Sequence, residues 1–570
     1  MTPTDTYLGL RAFADELVRC GVQHACTSPG SRSAPLVLTL HREPGLTATS
    51  HIDERSGAFF GLGVAKATGR PAVLACTSGT AAANYAPAVI EAYEARVPLL
   101  VLTADRPWEL RDVGAGQTID QVKLFGRAAK WFVEIDEAPA TAERMGFLRR
   151  LACRAVWTAV RGRPGPVHLN FALREPLIPD ERLPREPGGG GRADGRAWTE
   201  SYAPARAVPD LHLEGKRPVL VAGRMERPGD GDAVAGFAAR HRWPLLADPL
   251  SGARRGNAAI AHYDALLRVP NWGEGFAPDL VVRVGDLPTS KPLRQWLAGF
   301  SPPAPRQVAL DPAGAWQDPD AAVGEIHPAG PEALRAEPLD DGWLDGWRRA
   351  DTVARTAMGR VLGGGLSEPA VAVRVAAALG PQDTLFVAAS MPVRDLETFA
   401  VTQARVLSNR GANGIDGTAS TALGVAAASA GRTVLLTGDV ALLHDVGGLL
   451  AARRTGAQLT IVVINNDGGG IFGFLPVAGE DGYDEHVATP HGIDLALVAA
   501  TFGFTHVLVD TPEAFDDALR SAARSNVVEV RTDRTANVQL HRGIWAAVAK
   551  AVAEGSEGAA FSGSERSETE

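Results

Sequence analysis

Short unbroken runs of Val, Leu, Ile and Ala recur along the chain, separated by stretches of helix length in which polar residues are interspersed. Ala72–Cys76 and Leu99–Thr103 are such runs in the first part, Pro218–Ala222 and Leu280–Val284 in the middle. Thr384–Ala388, Thr433–Thr437, Thr460–Ile464 and Val527–Val530 follow in the last part. Continuous apolar runs, as opposed to alternation, predict strands buried on both faces, which is the pattern of parallel sheets covered by helices. The pattern falls into three blocks. It predicts an α/β fold of three doubly wound parallel-sheet domains. Ligands in such sheets sit beyond the carboxyl ends of the strands, so candidate chemistry is sought there.

Two breaks punctuate the pattern. Pro179–Arg196 combines Pro, mixed charge and four consecutive glycines from Gly188 to Gly191, the composition of a linker. A softer break covers Gly359–Glu368, and residues from Glu554 onward are rich in Gly, Ser and Glu. The expected organisation is a first domain over 1–180, a linker over 181–197, a central α/β domain over 198–358, a third domain over 359–553 and a disordered tail over 554–570.

Composition narrows the function classes. The chain has 570 residues, 45% hydrophobic and 22% charged, ordinary values for a globular protein. The net charge of −9 gives no basic surplus, which speaks against nucleic-acid binding. No stretch approaches the ~18 uninterrupted apolar residues of a membrane span. Met1–Asp15 shows no basic and apolar export pattern. These features predict a cytoplasmic location. The four cysteines form no C-x-x-C pair, so neither a zinc site nor a disulfide framework is expected. Only six lysines stand against 51 arginines, so an isolated arginine carries little information.

The segment from Thr433 to Phe474 is the most informative. One strand ends in Gly438-Asp439, a helical stretch follows, and a second strand ends in Asn465-Asn466-Asp467-Gly468. Asp439 and Asn466 are 27 residues apart, one strand–helix–strand crossover, which allows both to emerge at the same sheet edge on adjacent or nearby strands. A carboxylate, an amide oxygen and the Gly468 carbonyl form a set of hard oxygen ligands suited to Mg²⁺ or Mn²⁺ with room left for phosphate oxygens. The backbone amides after Gly438 open a helix, a favourable place for a diphosphate. Asp and Asn after strands also cap helices and turns. The Asn-Asn pair is unusual in a chain with ten asparagines, and spacing and context together favour the metal.

This pattern resembles the signature of thiamine-diphosphate enzymes: Gly-Asp, 25 to 30 residues, then Asn-Asn. The resemblance implies that Asp439, Asn466 and the Gly468 carbonyl hold the metal and, through it, the diphosphate. Val440 stands where the family usually has Gly. The cofactor also needs a carboxylate beside its pyrimidine ring. By position that is Glu54, in His51-Ile52-Asp53-Glu54-Arg55 before a helical run. A partly buried carboxyl suits this role, although an acidic pair at a helix start is also favoured by the helix dipole. Ile415 matches the apolar prop under the cofactor and the Asn413 carbonyl the acceptor for its amino group. Glu54 and Asp439 fall in different domains, and the resemblance implies a cofactor shared between subunits of a homodimer or a dimer of dimers. On it, domain 1–180 binds the pyrimidine and domain 359–553 the diphosphate.

Cationic loops then select within that superfamily. SPGSRSAPL, HIDERS, TSGTAAANYAPAVIEA, TADRPWELRDVGAGQTIDQ, SKPL, SNRGANGIDG and INNDGGGIFGFLP span Ser28 to Pro476. These strings resemble the 2-succinyl-5-enolpyruvyl-6-hydroxy-3-cyclohexene-1-carboxylate synthases of menaquinone biosynthesis. The resemblance implies a transferase that decarboxylates 2-oxoglutarate and adds the succinyl carbanion to isochorismate. It assigns Arg394 and Arg410 to the 2-oxoglutarate carboxylate, and Ser31, Arg32, Arg106, Gln117 and Lys291 to isochorismate. Ser390 falls beside the cofactor, and Ile471, Phe472 and Leu475 form an apolar wall. Guanidinium groups suit such multi-carboxylate substrates. Gly116 and Pro292 replace Asn and Arg found in some members. An acetohydroxyacid-synthase-like or decarboxylase relative is the rival, one that handles a substrate with a single carboxylate.

Overall fold

The computed structural model describes the chain except Met1 and residues 180–181, 203–209, 226, 301–303, 340–341, 522–524 and 565–570, and the side chains of 555–564. Its first sheet comprises β1 (His24–Thr27), β2 (Thr47–Ser50), β3 (Ala72–Cys76), β4 (Leu99–Asp105), β5 (Trp131–Ile135) and β6 (Pro166–Ala172). All are parallel, in the order β2-β1-β3-β4-β6-β5. The middle block contributes β7 (Leu211–His212), β8 (Pro218–Ala222), β9 (Leu245–Ala247), β10 (Leu280–Val284), β11 (Arg306–Leu310), β12 (Glu325–His327) and β13 (Leu334–Arg335). Five of these form a parallel sheet, β12-β11-β10-β8-β9, and β13 pairs with β7. The third sheet holds β14 (Thr384–Val387), β15 (Arg405–Leu407), β16 (Thr433–Gly438), β17 (Thr460–Asn465), β18 (Thr505–Val509) and β19 (Asn526–Arg531), in the order β15-β14-β16-β17-β19-β18. Every apolar run singled out in the sequence is a strand within one residue or two at its ends. The expected α/β class with parallel sheets is the fold observed.

The first and third sheets have the same topology, strand for strand. Their equivalent helices, the ones that follow the second strand of each sheet, pack on one another: Glu54–Thr68 against Thr418–Ala428. Glycine makes the approach possible. A Cβ on Gly63 would lie 2.0 Å from the carbonyl oxygen of Thr421, and one on Gly424 would lie 2.0 Å from that of Phe60. The contact is reciprocal, each glycine meeting the residue three before the other. Phe59, Phe60 and Leu62 of one helix and Ala419, Ala422 and Leu423 of the other are buried in one continuous apolar core.

Three segments add detail to the expected organisation. The Gly-rich stretch before the middle domain lies along the first domain. Gly188, Gly189 and Gly190 turn the chain at positive φ, the Arg149 guanidinium binds Glu186, and Trp198 N–H donates to the buried Glu16. Within the break placed over Gly359–Glu368, the helix Trp343–Leu362 runs on until Gly363 ends it at φ +58, and the next helix begins at Glu368. The last helix continues from Arg534 to Ser564, into the part expected to be a disordered tail. Once nucleated, a helix extends at the cost of one residue per hydrogen bond. The remainder of that tail, 565–570, lies outside the described residues.

Candidate active site

Strands β16 and β17 are neighbours in register, with Gly438 opposite Ile464. Asp439 and the 465–468 loop therefore leave the same sheet edge side by side. Asp439 is 2% exposed. Its Oδ1 accepts from Val440 N–H at 2.7 Å and its Oδ2 from Gly468 N–H at 3.0 Å, with His491 Nε2 at 3.2 Å. The Asn466 amide is held from one side only. Its Nδ2 donates to Glu368 Oε1 at 2.8 Å, whereas its buried Oδ1 has no hydrogen-bond partner. An orphaned buried acceptor is costly unless something binds it. Gly468, at φ +140, has no space for a side chain: a Cβ would meet the Ala488 carbonyl oxygen at 2.4 Å. Carboxylate, free amide oxygen and glycine carbonyl at one edge fit a hard divalent cation.

A cavity of about 110 Å³ opens over these groups, lined by Gly438, Asp439, Asn466, Gly468, Ser390 and Ile415. It shares Ser390, Ile415, Ile471 and Phe472 with a cleft of about 840 Å³ between the middle and third domains. Lys291, Arg394, Arg410 and Asn413 line that cleft. Lys291 is the first residue of the helix Lys291–Ala298, which Ser290 caps. Arg394 sits in the helix Met391–Phe399 and donates to the Ser390 carbonyl at 2.6 Å. Burial, and then the nearby Arg410, holds the Arg394 guanidinium below its ordinary proton affinity, and burial does the same to Arg410. Two partly desolvated guanidinium groups beside each other favour an anion between them.

The first-domain residues form a second cluster. Glu54 opens its helix after β2, with Asp53 as the N-cap. Burial, and to a smaller degree Asp53, raises the proton affinity of its carboxyl. Ser31 and Arg32 follow β1, and Arg106 follows β4. Arg106 donates to Ser78 and to the Gln117 carbonyl, and Gln117 Nε2 donates to the Ser78 carbonyl at 2.9 Å. The Arg32 guanidinium is buried and donates to the Leu173 carbonyl at 2.8 Å and to Glu175 at 3.0 Å, while its Nε has no partner. None of these residues lines the two cavities. Within the chain, the residues just after Glu54 meet the far end of the Asp439–His444 helix, through Arg55 to the His444 carbonyl and Ser56 to Asp445.

The structure thus joins Lys291, Ser390, Arg394, Arg410, Asn413, Ile415, Gly438, Asp439, Asn466, Gly468, Ile471 and Phe472 around two connected cavities. It keeps Ser31, Arg32, Glu54, Arg106 and Gln117 at a separate edge. Leu475 is 49% exposed and lines neither cavity, because the short helical turn Gly470–Phe474 ends just before it. Pro292 is buried in its helix start and a Cβ on Gly116 would face open space, so neither supplies a polar side chain. Arg294, one turn beyond Lys291, lines the cleft. Glu368 was not legible as a site residue. It reads as the acidic first turn after the Ser367 cap, and nothing local tells of its bond to Asn466.

Comparison with known proteins gives the family. Residues 9–124 match the family described as thiamine pyrophosphate enzyme, N-terminal TPP binding domain, and 197–387 the middle domain of thiamine pyrophosphate enzymes. Residues 396–530 match the C-terminal TPP binding domain. A 2-succinyl-5-enolpyruvyl-6-hydroxy-3-cyclohexene-1-carboxylate synthase of Geobacillus thermodenitrificans is 42% identical over 95% of this chain and 96% of its own length. Synthases of the same name from Chloroflexus aurantiacus and Halobacterium salinarum are 42% and 40% identical, over 95% and 94% of this chain and 96% and 97% of their own lengths. The chain belongs to the 2-succinyl-5-enolpyruvyl-6-hydroxy-3-cyclohexene-1-carboxylate synthase family of thiamine pyrophosphate enzymes.

Proposed function

We infer that the protein is a thiamine-diphosphate-dependent transferase that decarboxylates 2-oxoglutarate and joins the succinyl unit to isochorismate, a step of menaquinone biosynthesis. The observation that carries this reading is the meeting of Lys291, Arg394 and Arg410 in a cleft that opens directly onto the oxygen cradle of Asp439 and Asn466. A substrate with one carboxylate leaves part of that cationic lining unmatched, which disfavours the acetohydroxyacid-synthase-like alternative.

Asp439, Asn466 Oδ1 and the Gly468 carbonyl would hold Mg²⁺ or Mn²⁺, and Gly438, Ser390, Asn413 and Ile415 would hold the cofactor. Bound there, thiamine diphosphate supplies the electron sink for loss of CO₂ and for carbon–carbon bond formation. The chain's own residues do the rest. Arg394 and Arg410 orient the 2-oxoglutarate carboxylate, and Ile471 and Phe472 exclude water from the reacting end. Glu54 would exchange a proton with the cofactor's pyrimidine ring, and burial, which raises the proton affinity of its carboxyl, suits it to that exchange. Because Glu54 stands away from Asp439 within one chain, the reading has a partner subunit bring Glu54, Ser31, Arg32, Arg106 and Gln117 to the cleft, in a homodimer or a dimer of dimers.

Product analysis tests this. With thiamine diphosphate and Mg²⁺, the protein should form CO₂ and the succinylated cyclohexene product from 2-oxoglutarate and isochorismate. Acetolactate from pyruvate alone, with no product from the other pair, would overturn it.

A further inference from the structure

Lys66 is among only six lysines of the chain, and its ammonium is nearly sealed from solvent, with a side chain 7% exposed. It lies in the last turn of the helix that Glu54 begins. A buried lysine loses hydration that only well-placed acceptors replace. Lys66 Nζ has three: Glu91 Oε1 at 3.1 Å, the Ser408 carbonyl at 2.7 Å and Asn409 Oδ1 at 2.9 Å. These account for its three donors. Two of the three belong to the third domain's 408–413 loop.

Glu91, 3% exposed in the first-domain helix Ala86–Glu94, grips the same loop. Its Oε1 accepts from Gly411 N–H at 3.0 Å and its Oε2 from Ala412 N–H at 2.6 Å. Gly411 presses close: a Cβ there would stand 2.6 Å from the Glu91 carbonyl oxygen and from Ala95 N. On the other side, Asn409 Nδ2 donates to Thr421 Oγ1 at 3.0 Å. The Ser408 carbonyl, the Asn409 amide and the Gly411 and Ala412 N–H groups are thus held, whereas the buried Ser408 Oγ has no partner and the Arg410 side chain is left unbonded. Its guanidinium makes no hydrogen bond among the described residues and lines the substrate cleft.

We propose that Lys66 and Glu91 form a buried ion-paired clamp in the first domain that sets the 408–413 loop of the third, and so positions Arg410 for a substrate carboxylate. Neither touches substrate or cofactor, so both are positioning residues. The loop's polar backbone is bound by fixed charges, and the Arg410 guanidinium is left to meet an anionic ligand in the cleft. This rests on the reading of Arg410 as the anchor for 2-oxoglutarate, and the test separates the two.

Steady-state kinetics of Lys66→Met with saturating cofactor should show KM for 2-oxoglutarate raised tenfold or more, with KM for isochorismate within twofold of the parent. Arg410→Ala should raise KM for 2-oxoglutarate at least as much, and Lys66→Met added to it should raise it little further. Lys66→Met with a normal KM for 2-oxoglutarate beside a strongly affected Arg410→Ala overturns the clamp and leaves Arg410 standing. A normal KM in Arg410→Ala overturns the role of Arg410, and amide exchange then decides the clamp. In the intact holoenzyme the Gly411 and Ala412 amides should exchange slowly, and Glu91→Gln should speed both at least tenfold. Fast exchange in the parent protein overturns the clamp even if every Lys66 variant fails to fold.

Discussion

The crossing of the Glu54–Thr68 and Thr418–Ala428 helices yields a prediction that links packing to chemistry. Gly63→Ala places a methyl 2.0 Å from the Thr421 carbonyl oxygen, and Gly424→Ala does the same to Phe60. Ordinary contact is near ~3.5 Å, so the helices must separate by roughly 1.5 Å. The obstacle is backbone, which cannot swing aside. The upper end of the overpacking range, ~3 kcal/mol, therefore applies. Alanine returns ~1 kcal/mol of helix propensity, leaving a net loss of ~2 kcal/mol for each variant. The helix that moves carries Glu54 at its start, and a misplacement of about 1 Å can cost on the order of 100-fold in turnover. Gly236→Ala is the control: it lies inside the helix Asp230–His241 with nothing within 4 Å of the new methyl, and should stabilise slightly. Urea unfolding followed by far-UV circular dichroism, together with kcat, reads all three. If Gly63→Ala and Gly424→Ala match Gly236→Ala in midpoint and turn over like the parent, the reasoning about this crossing is wrong.

Three further outcomes are expected. Glu54→Gln should abolish turnover while calorimetric titration shows thiamine diphosphate bound with parental affinity; unchanged turnover refutes its role. Asn466→Ala removes the orphaned Oδ1 and should raise the Mg²⁺ concentration for half-activation at least tenfold, equivalent to ~1.4 kcal/mol; an unchanged value argues against the cradle. His168 is wedged against Phe125 and Phe132, and burial pushes its proton affinity down to about 3. The unfolded chain therefore takes up this proton first, so stability is full above ~6.5 and falls as pH drops from there toward 3. At ~1.36 kcal/mol per unit, His168→Phe should lose about 2 kcal/mol less than the parent between pH 6.5 and 5, and equal losses would contradict this.

The strands were legible because their apolar runs are unbroken. Pro218–Ala222 and Leu280–Val284 coincide with β8 and β10 to the residue. Asp439 and Asn466 were legible because a parallel crossover can bring both to one edge, and β16 and β17 are indeed neighbours. Lys66 and Glu91 were not, since their third-domain partners lie more than 300 positions away and a lysine inside a helix carries no local mark of its acceptors. Glu368 was hidden behind a helix-cap pattern that is true and yet incomplete. The packing of the linker was hidden for a related reason: its composition describes how freely a segment turns, and says nothing of Arg149, which binds it. The exposure of Leu475 depends on where a single turn of helix stops, a detail that apolar patterning does not resolve.

The shared topology of the first and third sheets has an architectural consequence. Two like folds meet through one self-matching patch, as two copies of a single-domain ancestor would in a symmetric pair. The middle domain is then an insert between twin halves that already fit each other. What it adds is the wall bearing Lys291, braced against the third domain by Arg254, whose guanidinium caps the Glu397 and Ala400 carbonyls at 2.8 and 3.0 Å. A chain trimmed of that insert would keep its paired cores and forfeit one side of the cleft.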